Sequence, residues 1–252
     1  MLTAERRQAI LARLERDGKV VASELVAALG VSEDTVRRDL RELAADGLLM
    51  RVHGGALPGG SALYPAATFD DRLRVAPEAK AHLAEAALPL LEGANVLLLD
   101  GGTTALELAR RLPPERGCTV LTNAPPVAAA LARHPRAEVV LIGGRLLKDA
   151  QVTVGAAAVD ALRQVRADAC VLGICSLHPE LGVTANDHDE AHVKRAMVAA
   201  AAEVIALATA DKLRTASPWV VAPLADVTHL VTDAGEELTD AYATAGVSVV
   251  HA

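Results

Sequence analysis

Residues 32–43 read Ser32-Glu33-Asp34-Thr35-Val36-Arg37-Arg38-Asp39-Leu40-Arg41-Glu42-Leu43. Val36, Leu40 and Leu43 fall at i, i+4 and i+7 and form one apolar stripe, so Arg37, Arg38 and Arg41 point to the opposite side of a helix. One face packs and the other can meet phosphate. Ser32 stands at the N-cap, and Gly30 supplies the left-handed residue that ends the preceding helix. Two helices therefore meet through a tight turn that pushes the second one outward.

Upstream, Thr3 is the expected cap of a helix that turns Ile10, Leu11 and Leu14 inward, and Ser23 the expected cap of a short helix bearing Leu25, Val26 and Leu29. Downstream, Leu49-Met-Arg-Val-His53 followed by Gly54-Gly55 suits a two-stranded ribbon with a glycine turn, carrying Arg51 and His53. The same charges would also serve a plain solvated helical hairpin. Capping residues, turn glycine, arginine-bearing helix and wing in one compact block favour a winged helix-turn-helix that reads double-stranded DNA, with Ser32, Thr35, Arg37, Arg38, Arg41, Arg51 and His53 at the contact. Recognition helices read base edges mainly from their N-terminal half, which puts Arg37 and Arg38 foremost.

Residues 1–57 hold nine Lys/Arg and nine Asp/Glu, so this block is neutral and the net charge of −7 belongs to the remainder. DNA affinity must then come from the placement of a few arginines, aided by helix N-termini and by doubling the contacts in a dimer or tetramer. At 252 residues and 52% hydrophobic the chain has room for a second, larger domain. No apolar run reaches the length of about 18 residues that a membrane span needs, and the N-terminus lacks an apolar signal core. A cytoplasmic protein without a membrane partner is expected. Cys118, Cys170 and Cys175 are odd in number and lie in or beside apolar runs, which implies reduced, buried thiols. A redox pair of Cys170 and Cys175 is the alternative, but neither has an adjacent Lys or Arg.

Residues 58–76, which open with the turn formers Pro58-Gly-Gly-Ser61, read as a linker. From Pro77 to residue 252, helical patterns alternate with apolar runs at Val96–Leu99, Thr119–Thr122, Glu138–Ile142, Ala169–Gly173, Val204–Ala208, His229–Thr232 and Val247–Val250. Apolar strands between helices predict a doubly wound, mainly parallel α/β domain of Rossmann-like type.

Ligands sit at the carboxyl ends of such strands. There the chain has Asp100-Gly-Gly-Thr-Thr104, Thr122-Asn123, Gly143-Gly144 and Asp211-Lys212, expected to line one crevice. Gly101 and Gly102 permit close backbone approach, Thr103 and Thr104 add hydroxyls, and a helix N-terminus presents free N–H groups, which together suit a phosphate. Lys212 can add a compact positive charge, while Asp100 suits sugar hydroxyls. The same glycines would also make an ordinary strand-to-helix turn. The pattern is neither a P-loop nor a dinucleotide fingerprint, so ATP and NAD are disfavoured and no cofactor is expected. In Asp187-His-Asp-Glu-Ala-His192, the i, i+4 histidines His188 and His192 could share a metal with Cys175 or His178. A polar helix start is the preferred reading, and no metal is expected.

These segments resemble the DeoR family of bacterial transcriptional regulators over nearly the whole chain. The carrying motifs are Val31-Ser32, Thr35-Val-Arg-Arg-Asp-Leu40, Leu43, Arg51-Val-His-Gly-Gly55, Asp100-Gly-Gly-Thr-Thr104, Thr122-Asn123, Gly143-Gly144, Gly182-Val-Thr184, Glu190, Lys194 and Asp211-Lys212. The resemblance implies a sensor domain similar in fold to ribose-5-phosphate isomerase that answers to a phosphorylated sugar or polyol. It implies Gly101, Gly102, Thr103, Thr104 and Lys212 at the phosphate, and Asp100, Asn123 and Glu190 at hydroxyls. Lys194 matches a family position that a structural ion pair would equally explain. The expected protein is an oligomeric repressor of carbohydrate genes, released from its operator by the effector. The rival is a sugar-phosphate isomerase fused to a DNA-binding block, with Asp100, Glu190, Asp211 and Lys212 as acid/base groups; the recognition block then has no purpose.

Overall fold

The computed structural model describes residues 2–52, 54–58 and 68–252. The N-terminal block contains α1 (Thr3–Asp17), β1 (Val20–Val21), α2 (Ala22–Leu29), α3 (Glu33–Ala45), β2 (Met50–Val52) and β3 (Gly55–Leu57). Ile10, Leu14, Val20, Leu25, Val36, Leu40, Leu43, Leu49 and Ala56 form its separate core. Fully burying one such leucine stabilises the fold by about 1.5–3 kcal/mol, so loss of any one of them endangers so small a unit.

Two expected caps are displaced. α1 starts one residue early, with Leu2 at the N-cap and its backbone N–H donating to the Glu5 carboxylate at 3.0 Å, so Thr3 lies inside the helix. α2 follows directly on β1, which makes Val21 its N-cap and leaves Ser23 in the first turn. The wing has three strands rather than two, because β3 pairs with both β2 and β1. Gly55 is required there: a Cβ at this position would lie 1.9 Å from the Val20 carbonyl oxygen.

The stretch read as linker contains a helix, α4 (Phe69–Arg74), capped by Thr68, and Phe69 is buried in the core of the larger domain. There follow α5 (Pro77–Ala87), a 3-10 turn at Leu88–Leu91, β4 (Val96–Leu99), α6 (Thr103–Arg111), β5 (Cys118–Thr122), α7 (Pro125–Leu131) and β6 (Ala137–Leu141). A hairpin of β7 (Arg145–Leu147) and β8 (Val152–Val154) leads to α8 (Ala156–Arg163), β9 (Ala167–Gly173), β10 (Ser176–His178) and β11 (Gly182–Ala185). The chain closes with α9 (His188–Ala200), β12 (Ala201–Leu207), β13 (Trp219–Ala222), β14 (His229–Thr232), α10 (Glu236–Thr244) and β15 (Ser248–His251).

The seven expected strands form one parallel sheet in the order β15-β14-β12-β9-β4-β5-β6. It is an α/β, Rossmann-like sheet with helices on its faces. β4, β5 and β6 progress toward one edge, whereas β9, β12, β14 and β15 progress toward the other. Strand order reverses between β4 and β9, and that switch point is where an open α/β sheet leaves a crevice. The hairpin β7–β8 and the small antiparallel sheet β10-β11-β13 were not foreseen, being three- and four-residue strands without a long apolar run. Among the described residues no helix is long and apolar enough to cross a membrane.

Candidate DNA interface and effector cavity

α3 is built as its sequence requires. The Ser32 hydroxyl accepts from the Thr35 N–H at 3.3 Å, and Gly30 ends α2 at φ 63°. Arg37, Arg38 and Arg41 are all exposed. Arg37 is engaged by Glu33 at 2.6 Å, whereas Arg38 and Arg41 make no ion pair among the described residues. Arg51 stands exposed on the wing; His53 lies outside the described residues.

Asp39 was not foreseen as a functional position. It is fully buried, accepts from both Nε and Nη2 of the buried Arg6, the latter at 3.0 Å, and lies 3.8 Å from Arg7 Nε. This pair locks α1 against the back of α3 and so fixes the angle at which the arginine face is presented. An acidic residue between Arg38 and Leu40 reads in sequence as one more surface charge, and only packing reveals the difference.

At the switch point lies a cavity of about 310 Å³. Gly101, Gly102, Thr103 and Thr104 form one wall; Glu190 and Lys194 of α9, Asp211 and Lys212 form others. Gly102, at φ 113°, turns the chain from β4 into α6, and the first N–H groups of that helix lie at this wall. The structure adds residues that sequence reading had missed: Arg72 of α4, Asp149 and Val152 of the hairpin, Gly173 at the end of β9 and Cys175 after it, and Asn186 and Asp187 before α9. Arg72 stood in what read as linker, and no local signal separated it from its neighbours.

Four expected residues do not line the cavity. Asp100 is 1% exposed; its Oδ2 accepts from Lys194 Nζ and from the Gly173 N–H at 3.0 Å. Lys194 also donates to the Gly173 carbonyl at 2.8 Å and lies 3.4 Å from Glu190. Burial opposes the Lys194 charge, but Asp100 and Glu190 outweigh it and hold the ammonium above the usual lysine value. Asp100 is thus a buried anchor under the cavity floor. Asn123 is 1% exposed and clamps β8: its Nδ2 donates to the Thr153 carbonyl at 3.0 Å, and its own carbonyl accepts from Thr153 N at 2.7 Å. Gly143 and Gly144 open the hairpin, with Gly144 pressed against the Val154 backbone. The reason is topological. β5 and β6 lie on the far side of β4 from the switch point, so their ends support the hairpin while the hairpin forms the wall.

Arg72, Lys194 and Lys212 bring three cations to the cavity lining. Burial, with Arg72 and Lys194 contributing, lowers the Lys212 pKa. Beneath it, Lys80 donates to the carbonyls of Arg72 and Val75, and burial together with Lys212 and Arg72 pushes it down to about 8. Cations that depress one another in this way gain from an anion placed among them. Glu190, Asp187 and Asn186, which also line the cavity, bring acceptors and an amide of the kind that suits hydroxyls.

The acidic run after residue 186 is a helix start, with the Asp187 side chain accepting from the Glu190 N–H at 2.9 Å. His188 and His192 face each other, Nε2 to Nε2 at 3.3 Å, and His188 packs on Trp219. Among the described residues no three His, Cys, Asp or Glu side chains form a metal-holding group. The cysteines are free thiols: Cys118 and Cys170 are buried, and Cys175 is only half-buried at the cavity. Burial raises the pKa of both Cys170 and Cys175, away from thiolate reactivity.

Comparison with known proteins bears on both parts. The family model of the DeoR-like helix-turn-helix domain matches residues 6–58, and that of the DeoR C terminal sensor domain matches residues 75–234. The HTH-type transcriptional regulator GlpR of Haloferax volcanii is 35% identical over 253 residues, 99% of this chain and 98% of that protein. The HTH-type transcriptional repressor GlcR of Bacillus subtilis is 31% identical, covering 92% of this chain and 89% of the relative. The glycerol-3-phosphate regulon repressor of Haemophilus influenzae is also 31% identical, covering 90% and 88%. Among solved structures, ribose 5-phosphate isomerase A of Methanocaldococcus jannaschii aligns at a TM-score of 0.40 and 14% identity over 54% of each chain, too distant to bear on function. Over both of its parts, the chain belongs to the DeoR family of transcriptional regulators, and it is a regulator rather than an enzyme.

Proposed function

We propose that this regulator is a repressor of carbohydrate-metabolism genes that binds operator DNA as a homo-oligomer in the cytoplasm and is released by a phosphorylated sugar or polyol. The observation that carries the effector reading is the pairing of Arg72 and Lys212 with the N-terminal turn of α6 in one cavity. Two cations, the Thr103 and Thr104 hydroxyls and unpaired helix N–H groups suit a phosphate without any metal. Glu190, Asp187 and Asn186 line the same cavity and suit the hydroxyls. Lys194 and Asp100 hold the floor on which these groups stand, and Asn123, Gly143 and Gly144 hold the hairpin wall.

On the DNA side, the exposed Arg38 and Arg41 of α3 and Arg51 of the wing support contact with the duplex, with the hydroxyls of Ser32 and Thr35 at the helix start as further phosphate donors. Names of relatives such as the glycerol-3-phosphate regulon repressor support the class of effector and the sign of regulation.

The division is tested with two variants and two readouts: binding to the protein's own upstream region by fluorescence anisotropy, and thermal stabilisation by a panel of glycerol 3-phosphate, pentose and hexose phosphates, and free sugars. Arg38→Ala is expected to abolish DNA binding while stabilisation by the matching phosphate remains. Thr103→Val is expected to do the reverse. Loss of both properties in either variant, or stabilisation by free sugars as strong as by their phosphates, contradicts the proposal.

A further inference from the structure

Among the described residues, a short segment that starts in the cavity joins the sensor domain to the DNA-binding block. Lys212 lines the cavity, while the backbone N–H of Ala216 donates to the Pro58 carbonyl at 3.1 Å, just past the end of β3 in the wing. Between them, Arg214 reaches the other end of the block: a Cβ built on Gly18, the residue that caps α1, would lie 3.9 Å from the Arg214 Cδ, so the side chain covers that cap.

The segment is held like a strut. Leu213, Thr215, Ala216 and Ser217 are buried. The Thr215 hydroxyl donates to the Lys212 carbonyl at 2.7 Å, and Ser217 N donates to the Thr184 hydroxyl at 2.8 Å. Arg214 sits at φ 55°, unfavourable for a residue with a Cβ, and is kept there by its N–H donating to the Tyr242 hydroxyl at 2.8 Å. That hydroxyl in turn donates to the Leu177 carbonyl at 2.8 Å, and Arg214 Nη2 donates to the Glu237 carbonyl at 3.0 Å. A strained non-glycine residue persists only where its surroundings over-determine it. Packed, hydrogen-bonded segments pass on a displacement rather than absorb it.

We infer that residues 212–216 couple effector occupancy to DNA release, with Arg214 as the positioning residue that sets how the cap of α1 and the base of the wing rest on the sensor domain. The inference rests on the proposed effector reading. An anion drawn to Lys212 pulls on one end of the strut; Arg214 and Ala216 at the other end reorient α1 and β3, and with them α3. Arg72 strengthens the effect, since among the described residues α4 is the first element after the block.

The test uses the full chain, its upstream DNA and the phosphate from the panel that raises the wild-type melting temperature most. Arg214→Gly relieves the strain at φ 55° but removes the side chain, and Arg214→Lys restores a charged stem. The wild type is expected to lose DNA affinity by roughly 5- to 150-fold on adding the phosphate. Arg214→Gly is expected to keep both its affinity for DNA and its thermal response to the phosphate, yet to lose most of that release; Arg214→Lys regains it in part. Amide exchange provides a readout free of substitution, with the Ala216 N–H expected to change its protection on phosphate binding. Undiminished release in Arg214→Gly, or release in the wild type with unchanged Ala216 exchange, overturns the inference and leaves the effector reading intact. If no phosphate stabilises the wild type, the effector reading fails and the inference falls with it.

Discussion

Lys80 shows how one side chain can report on a site it does not line. Its ammonium is buried against two carbonyls, near Lys212 and Arg72, and is depressed to about 8. In the unfolded chain a lysine titrates at about 10.4, so between these values the unfolded state binds more protons than the folded one. Stability of the ligand-free protein is therefore expected to rise with pH across that window, the reverse of a lysine that gains a carboxylate on folding. An anion seated by Arg72 and Lys212 favours the charged form and should draw a proton back onto the cluster. Calorimetric titration with the stabilising phosphate at pH 8, in two buffers of different ionisation enthalpy, is expected to show net proton uptake that shrinks in Lys80→Met. Equal heats in both buffers for the wild type would remove the cluster from the anion site. None of this was legible in the sequence: Lys80 lies on an ordinary helix face, and Arg72 directly follows Asp71, the aspartate of a capping box. Arg37, Arg38, Arg41, Gly101, Gly102 and Thr103 were legible, because helical period and turn chemistry alone put them where they are.

At the scale of elements, the recognition helix and the seven parallel strands followed from periodicity, since each has a run of apolar residues long enough to register. What failed was the assignment of neighbours. Asp100 and Lys194 lie 94 positions apart, on β4's end and on α9, and only the crossing of α9 beside the β4–β9 seam brings them together. A carboxylate after a strand reads as a ligand-facing group; here its partner holds it in the floor. Removing one member of a buried ion pair costs about 3–5 kcal/mol, because the other charge is left without compensation. Lys194→Met is accordingly expected to destabilise the sensor domain by about that much, an outcome that denaturant unfolding can measure. The doubly neutral Asp100→Asn, Lys194→Met protein should recover a large part of it. If the double variant is as unstable as the sum of the single ones, the two side chains act independently and the anchor role assigned to Asp100 is wrong.

For the whole molecule, the decisive quantity is charge. Residues 1–57 are electrically balanced, and of the arginines counted there Arg6 and Arg7 are spent inward, on Asp39 and Glu42, while Arg37 is engaged by Glu33. One block thus presents Arg38, Arg41 and Arg51 to a duplex with few further cations to help. Each phosphate neutralised contributes a salt-dependence slope of only about 0.9, so a single block should bind weakly at physiological salt. Two blocks joined through their sensor domains make the second contact intramolecular, which raises affinity by about 10²- to 10⁴-fold when both half-sites lie within reach. In a two-fold arrangement those half-sites are separated by one helical turn of about 34–36 Å or a multiple of it. The proposed oligomer therefore predicts that a duplex carrying one half-site binds at least two orders of magnitude more weakly than the full operator at equal salt, roughly the lower bound of that gain. It also predicts that adding half a helical turn between half-sites removes the advantage, since the second block then faces the wrong side of the duplex. Anisotropy titrations on these three duplexes decide it: full-strength binding to an isolated half-site means that one neutral block suffices, and the need for an oligomer disappears.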